Sequence, residues 1–134
     1  MAEVRGEVII DASLERVWGT IGSFDTLGWA GAAKTDVEGE GVGAMRTVYM
    51  AGGMVLQEEL VALQTHGYSY ALCVSPLPVK DYVSTLHAEA VEGGVKVVWS
   101  GTFEAVEVPE EDLVAMVTQT YQSCLDEVKR SLEA

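Results

Sequence analysis

Arg46 and Glu58 are the residues of this chain whose types and spacing could best support chemistry on a small molecule. They stand on either side of a short loop, 51–53, that contains two glycines and is flanked by apolar residues. If the flanking strands pair through this three-residue loop, Met50 faces Met54 and Arg46 lies directly opposite Glu58. Both charged side chains then point to the same face of the sheet. The sequence therefore predicts an ion pair between two adjacent strands.

This register depends on the length of the turn. A two-residue turn would place Gln57 or Glu59 opposite Arg46 and would separate the ion pair. In the three-residue register, Val48 and Leu60 share the face of the two charges. These apolar neighbours indicate that this face of the sheet points toward the interior of the protein.

An ion pair in an apolar interior must stay together, because burying either charge alone is very costly. Arg46 could hold a carboxylate or stabilise a developing oxyanion. Glu58 could move a proton, with a pKa that burial raises and the arginine lowers. Three interpretations are open: a salt bridge that only stabilises the hairpin, a pair that orients a ligand, and a catalytic pair.

Four aromatic residues could form the wall and the entrance of a cavity beside this pair. Tyr70, Tyr82 and Trp99 fall on predicted strands, where they either pack in the core or line a cavity. A buried tyrosine hydroxyl usually finds a hydrogen-bond partner, which can be protein, water or a ligand oxygen. Trp29 lies between two glycines and could be either a lid over the entrance or a hydrophobic plug.

Other motifs do not support a different kind of site. Gly39, Gly41 and Gly43 have the spacing of a phosphate-binding loop, but glutamates flank them and no helix or lysine follows. His66 and His87 lack the spacing of zinc ligands. We therefore expect no metal and no cofactor.

The charge balance argues against two classes of partner. The 134 residues carry a net charge of −13, from 21 acidic and 8 basic side chains, which would repel nucleic acid and anionic lipids. No stretch approaches the roughly 18 apolar residues of a membrane span. Cys73 and Cys124 match no paired spacing, and the N-terminus has no secretory signal, so we expect a cytoplasmic protein. The sequence predicts no particular oligomeric state.

The elements that would position these residues follow from hydrophobic periodicity and from the glycine-rich turns. A strand at 2–10 is followed by a helix that Ser13 caps, and then by one or two helical turns within 24–29. Six further strands are predicted, at 33–38, 44–50, 54–63, 68–75, 82–91 and 95–105. These connections suit an antiparallel sheet that is covered on one face.

A long C-terminal helix would supply the cover. Pro109 occupies the predicted first helical position, and acidic residues follow it in the first turn. A mostly apolar stripe runs along the helix through Leu113, Val117, Thr120, Cys124 and Val128. The prediction is one α+β domain over residues 1–134, in which a seven-stranded antiparallel sheet, with two short helices after its first strand, wraps round this helix.

Several short sequence motifs and single residues occur in an order that is typical of one superfamily. They are Asp11-Ala12-Ser13, Val17-Trp18, Trp29, Gly43 before Arg46, Glu58 before Leu60, Tyr70, the run 75–79, Tyr82, Gly93-Gly94, Val97, Trp99 and Phe103. The whole chain thereby resembles the helix-grip (SRPBCC, START-like) superfamily, and most of all its polyketide cyclase/dehydrase-like branch.

This resemblance implies a curved sheet that grips the long helix, with a cavity that opens near Trp29 and the loop containing Leu77. It implies no single activity, because members bind, carry, cyclise, dehydrate or isomerise different apolar molecules. The arrangement of Arg46 and Glu58 is similar to that of the plant lachrymatory factor synthases, which use an arginine and a glutamate for a proton-transfer isomerisation.

We therefore expect a protein that binds a hydrophobic small molecule of polyketide, aromatic, lipid or isoprenoid type. The expected contacts are Trp29, Val48, Leu60, Tyr70, Leu77, Tyr82, Trp99, Val117, Thr120 and Cys124. The alternative is a cofactor-independent cyclase, dehydratase or isomerase, with Glu58 as the acid/base and Arg46 as its electrostatic partner. A third interpretation, a protein-interaction module, receives little support from the acidic surface.

Overall fold

The computed structural model describes residues 1–134 and contains one antiparallel sheet and two α-helices. The strands are β1 (Ala2–Ile10), β2 (Ala32–Glu38), β3 (Met45–Met50), β4 (Val55–Gln64), β5 (Gly67–Val74), β6 (Val79–Val91) and β7 (Gly94–Ala105). Helix α1 spans Leu14–Ile21, and helix α2 spans Glu110–Glu133. The strands lie in the order β1-β7-β6-β5-β4-β3-β2. This architecture confirms the predicted α+β helix-grip fold.

The segment after β1 contains one α-helix, and the second short helix predicted there is reduced to a single 3-10 turn. Ser13 caps α1 as expected, since its Oγ accepts a hydrogen bond from the Arg16 backbone N–H at 3.1 Å. Further on, only Gly28–Ala30 forms a short 3-10 turn, which ends at Gly31 in the left-handed region with φ of 90°. Glycines interrupt this segment, and nucleating a helix is too costly for the few residues between them.

Helix α2 covers the free edge of β1. Gln122 Nε2 donates to the Glu7 carbonyl at 2.9 Å, and the Glu7 N–H donates to Gln122 Oε1 at 3.1 Å. Lys129 Nζ donates to the Ile9 carbonyl at 2.7 Å. At Gly6 the helix comes so close that an added Cβ would lie 3.1 Å from its nearest atom. These contacts shield an edge that would otherwise be open to pairing, and they hold the helix in place.

The start and the buried face of α2 differ slightly from the prediction. Pro109 precedes the helix as its cap, with an extended ψ of 129°, and is not its first helical residue. The buried side chains of the helix are Leu113, Val117, Tyr121, Leu125, Val128 and Leu132. Thr120 and Cys124 flank this stripe instead of forming it. Neither helix combines the length and the apolar character that a membrane crossing requires.

Candidate functional site

A cavity of about 380 Å³ lies between the sheet and α2. Seventeen of the 21 residues that line it are hydrophobic. Met54 and Met116 belong to this lining and are 39% and 43% exposed, so the cavity opens between the β3–β4 hairpin and α2. Its volume falls within the range of about 300–1,000 Å³ that is typical of small-molecule sites.

Most of the residues expected to contact a ligand line this cavity, namely Trp29, Val48, Tyr70, Leu77, Tyr82, Trp99, Val117 and Thr120. Leu60 and Cys124 are not part of the lining. Leu60 is 3% exposed and belongs to the packed core. Cys124 is half-buried beside that core, because the face of α2 that turns inward runs through Tyr121 and Leu125. The ligand contacts themselves stay a prediction.

The β3–β4 hairpin has the predicted register. Arg46 pairs with Glu58, and Val48 pairs with Leu56. The Met50 backbone N–H donates to the Met54 carbonyl, just before β4, at 2.8 Å, which closes the three-residue loop. The register prediction is confirmed, and both charged residues lie among the cavity-lining side chains.

Arg46 is held on several sides. Its Nε donates to Glu58 Oε1 at 2.7 Å, and the two side chains are 2% and 8% exposed. Its Nη1 donates to the Phe24 carbonyl at 2.9 Å and to the Tyr68 hydroxyl oxygen at 3.3 Å. The rings of Phe24 and Tyr70 lie 4.3 Å and 4.6 Å from the guanidinium carbon. These cation–π contacts and hydrogen bonds leave the guanidinium little freedom to move.

Burial and charge act in opposite directions on the two ionisable groups. Burial raises the pKa of the Glu58 carboxyl above its ordinary value, and the Arg46 guanidinium offsets this only in part. For Arg46, burial acts to lower the pKa, but Glu58, Tyr68 and Tyr70 together raise it. The arginine therefore stays charged, while the glutamate holds a proton more tightly than an exposed carboxyl would.

A second polar group, formed by hydroxyls, lies at the wall made by β6, β7 and α2. The Tyr82 and Tyr121 hydroxyls are hydrogen-bonded to each other. Tyr121 is also 3.0 Å from Ser84 Oγ, which donates to the Ser100 carbonyl at 2.9 Å. Burial raises the pKa of both tyrosines, so the hydroxyls remain protonated.

Trp99 links this group to the rest of the cavity wall. Its Nε1 lies 2.9 Å from Ser84 Oγ and 3.1 Å from the Tyr70 hydroxyl oxygen. Its ring stacks on Tyr121 with 4.0 Å between centroids. Trp29, which also lines the cavity, packs against Trp99 with 5.2 Å between the ring centroids. The Trp29 Nε1 is buried and has no hydrogen-bond partner.

Sequence reasoning missed Tyr68, Ser84 and Tyr121. Tyr68 stands two residues before Tyr70, and Ser84 stands two residues after Tyr82. Strand alternation places both pairs on a common face, so this signal was present in the sequence. Tyr121 lay at the margin of the predicted helix stripe, where a small rotation of the helix decides which side chains face inward.

The chain was matched by one family model and by several solved structures. The model of the polyketide cyclase / dehydrase and lipid transport family matches residues 1–133. The protein XoxI from Bacillus cereus is 28% identical with a TM-score of 0.90, over 98% of this chain and 96% of that one. An uncharacterized protein from Bacillus thuringiensis is 28% identical with a TM-score of 0.89, over 98% of each chain.

A more distant likeness concerns the fold alone. The Zhui aromatase/cyclase from Streptomyces sp. R1128 is 15% identical with a TM-score of 0.80, over 98% of this chain and 93% of that one. No curated protein matches the chain.

Proposed function

Because the chain belongs to the polyketide cyclase / dehydrase and lipid transport family, we propose that it binds a hydrophobic small molecule in the cavity between the sheet and α2. The observation that carries this proposal is the cavity of about 380 Å³ with its largely hydrophobic lining. Each Å² of apolar ligand surface buried there contributes about 25 cal/mol. Polyketide, aromatic, lipid and isoprenoid molecules have apolar surfaces that match this hydrophobic lining.

The Arg46–Glu58 pair orients the ligand in this proposal. Arg46 uses Nε for Glu58 and Nη1 for Phe24 and Tyr68. Its Nη2 makes no hydrogen bond within the chain, so it can bind a ligand oxygen without breaking the ion pair. Hydrogen bonds from a charged donor are the stronger kind, which favours a fixed ligand orientation.

One observation favours a second function, a cofactor-free isomerisation, dehydration or cyclisation. The Glu58 carboxyl faces the cavity, and burial raises its pKa toward the range in which a carboxyl can both take and return a proton. As the base, Glu58 would remove a proton from a carbon beside a carbonyl group. Arg46 would stabilise the resulting oxyanion, and the protonated Glu58 would return the proton to another atom of the same molecule.

Native mass spectrometry of the purified protein tests the binding function. We expect an added mass from an apolar molecule that is retained through purification and released by organic solvent. A protein that is isolated empty is then titrated with 2-acetylnaphthalene in a calorimeter. Failure to retain any molecule, together with failure to bind this probe, would contradict the binding function.

The substitution Glu58→Gln tests the second function. It keeps the shape of the side chain but removes the transferable proton. With a substrate that the native protein converts, turnover should fall by about 10²–10⁴-fold, while the affinity for that substrate changes far less. Undiminished turnover would exclude Glu58 as the acid/base and leave binding as the function of the cavity.

A further inference from the structure

Tyr70 accepts a hydrogen bond from the protein and donates none to it. Trp99 has a single indole N–H, which can only donate. Because its Nε1 lies 3.1 Å from the Tyr70 hydroxyl oxygen, Tyr70 is the acceptor in this contact. The nearby Ser84 Oγ donates its one hydrogen to the Ser100 carbonyl and receives the Tyr121 hydroxyl and the Trp99 N–H. Both of its lone pairs are therefore used, and it cannot accept the Tyr70 hydrogen.

The hydroxyl hydrogens of Ser84, Tyr121 and Tyr82 all have acceptors. Ser84 donates to the Ser100 carbonyl at 2.9 Å. Tyr121, at 3.0 Å from Ser84 Oγ, must then be the donor in that contact, and the Tyr82 hydroxyl donates to Tyr121. Each of these hydroxyl contacts therefore uses one hydrogen, while the single Trp99 N–H is shared between Ser84 Oγ and the Tyr70 hydroxyl oxygen. Tyr70 differs from these hydroxyls because its hydrogen remains unpaired.

Because Tyr70 lines the cavity, its free hydroxyl hydrogen can turn toward a bound molecule. The residue is 6% exposed and lines the cavity, and Trp99 occupies one side of its oxygen. The Tyr68 hydroxyl also has an unpaired hydrogen. However, the oxygen of Tyr68 receives Arg46 Nη1, and its ring packs against Phe24 with 5.8 Å between centroids.

Unpaired donors near Tyr70 outnumber unpaired acceptors. Arg46 Nη2 is free of protein partners, while Glu58 contributes one oxygen that Arg46 does not occupy. A buried donor that finds no acceptor is unfavourable, so this end of the cavity is complementary to a ligand that brings acceptors.

We propose that Tyr70 determines ligand specificity by donating its hydroxyl hydrogen to an uncharged oxygen acceptor, such as a ketone or ester carbonyl, on the bound molecule. This inference rests on the proposed binding function and narrows its ligand class. An apolar molecule with a carbonyl group binds better than a hydrocarbon of the same shape. The Trp99 indole acts as a positioning group, since its N–H sets the direction of the Tyr70 hydroxyl.

Two probes of matched shape test this specificity. They are 2-acetylnaphthalene and 2-isopropenylnaphthalene, in which a methylene group replaces the carbonyl oxygen. Their dissociation constants are measured by calorimetry for the native protein and for Tyr70→Phe. The control is Tyr49→Phe, the same chemical change on a side chain that is 37% exposed on the outer face of β3.

In Tyr70→Phe the affinity for the ketone, relative to the hydrocarbon, should fall by roughly fivefold to tenfold, the effect of one neutral hydrogen bond. In Tyr49→Phe this ratio should not change. If both probes bind and Tyr70→Phe leaves the ratio unchanged, the specificity inference is wrong and the binding function stands. If neither probe binds and the purified protein also retains no apolar molecule, the proposed function fails, and the inference fails with it. A retained molecule that carries no oxygen acceptor overturns the inference alone.

Should Tyr70→Phe not fold, the infrared carbonyl band of the ketone bound to the native protein decides the matter. A band at lower wavenumber than in hexane, both in the native protein and in the double variant Arg46→Met with Glu58→Leu, supports donation by Tyr70, because that variant lacks the free Arg46 Nη2. A band at the hexane position overturns the inference.

Discussion

Arg46 Nε and Glu58 Oε1 lie 2.7 Å apart across two paired strands, and both side chains are almost completely buried. The chain also contains exposed ion pairs, such as Arg130 with Glu127, whose side chains are 71% and 65% exposed. Water solvates the charges of an exposed pair far more fully than those of a buried one. The two kinds of pair should therefore respond differently to the loss of one partner.

Arg46→Met should lower the free energy of unfolding by about 3–5 kcal/mol, because it leaves the Glu58 charge buried without a partner. The double substitution Arg46→Met with Glu58→Leu should recover much of that loss, since no charge remains in the interior. Urea denaturation measures both effects. Arg130→Met is the matched control and should change stability little; equal losses for Arg46→Met and Arg130→Met would contradict the buried pair.

The raised pKa of Glu58 predicts a pH dependence of stability. The folded protein binds a proton at this site more tightly than the unfolded chain, whose value is near 4.5. The stability that this site contributes is therefore complete below that value and is lost as the pH rises through the folded-state pKa. The unfolding free energy of the native protein minus that of Glu58→Gln should fall with rising pH. A difference that rises with pH would mean that Arg46 outweighs burial.

A tryptophan placed in the cavity should compete with the ligand for space. Leu56 lines the cavity, whereas its neighbour Val55 is 42% exposed on the opposite face of β4. Leu56→Trp should weaken calorimetric binding of 2-acetylnaphthalene by about tenfold or more, because it overpacks the site. Val55→Trp adds the same side chain outside the cavity and should leave the affinity unchanged. Equal affinities for the two variants would place the binding site elsewhere.

Trp29 and Trp99 should differ in what they contribute to stability. The Trp99 indole N–H contacts Ser84 and Tyr70, whereas the Trp29 indole N–H has no partner. Trp99→Phe leaves hydroxyl acceptors without their donor, and Trp29→Phe removes an unpaired donor. Trp99→Phe should therefore cost about 1–2 kcal/mol more than Trp29→Phe in urea denaturation. If Trp29→Phe lowered the free energy of unfolding more than Trp99→Phe, the Trp29 N–H would have a hydrogen-bond partner in the native protein.

The parts of the site that could be predicted depend on short stretches of chain. The position of Arg46 opposite Glu58 follows from a three-residue loop, and the cap at Ser13 follows from the helical pattern after it. The Phe24 carbonyl that receives Arg46 had no such signal, because every residue has a carbonyl and only packing selects one. Thr120 and Cys124 were placed in the inward stripe of α2, whose rotation depends on contacts with a distant strand.

Residue types and local spacing were enough to decide which side chains can share a face and that strands joined by short glycine-rich turns form hairpins. They could not decide whether the Arg46–Glu58 pair meets an open cavity, or whether burial or the guanidinium controls the pKa of Glu58. Both properties depend on how α2 and the 24–30 segment pack over the sheet, far along the chain from β3 and β4. That packing depends on the apolar surface buried by the whole molecule. The cavity and the pKa of Glu58 are therefore determined by the complete fold and not by any short stretch of the sequence.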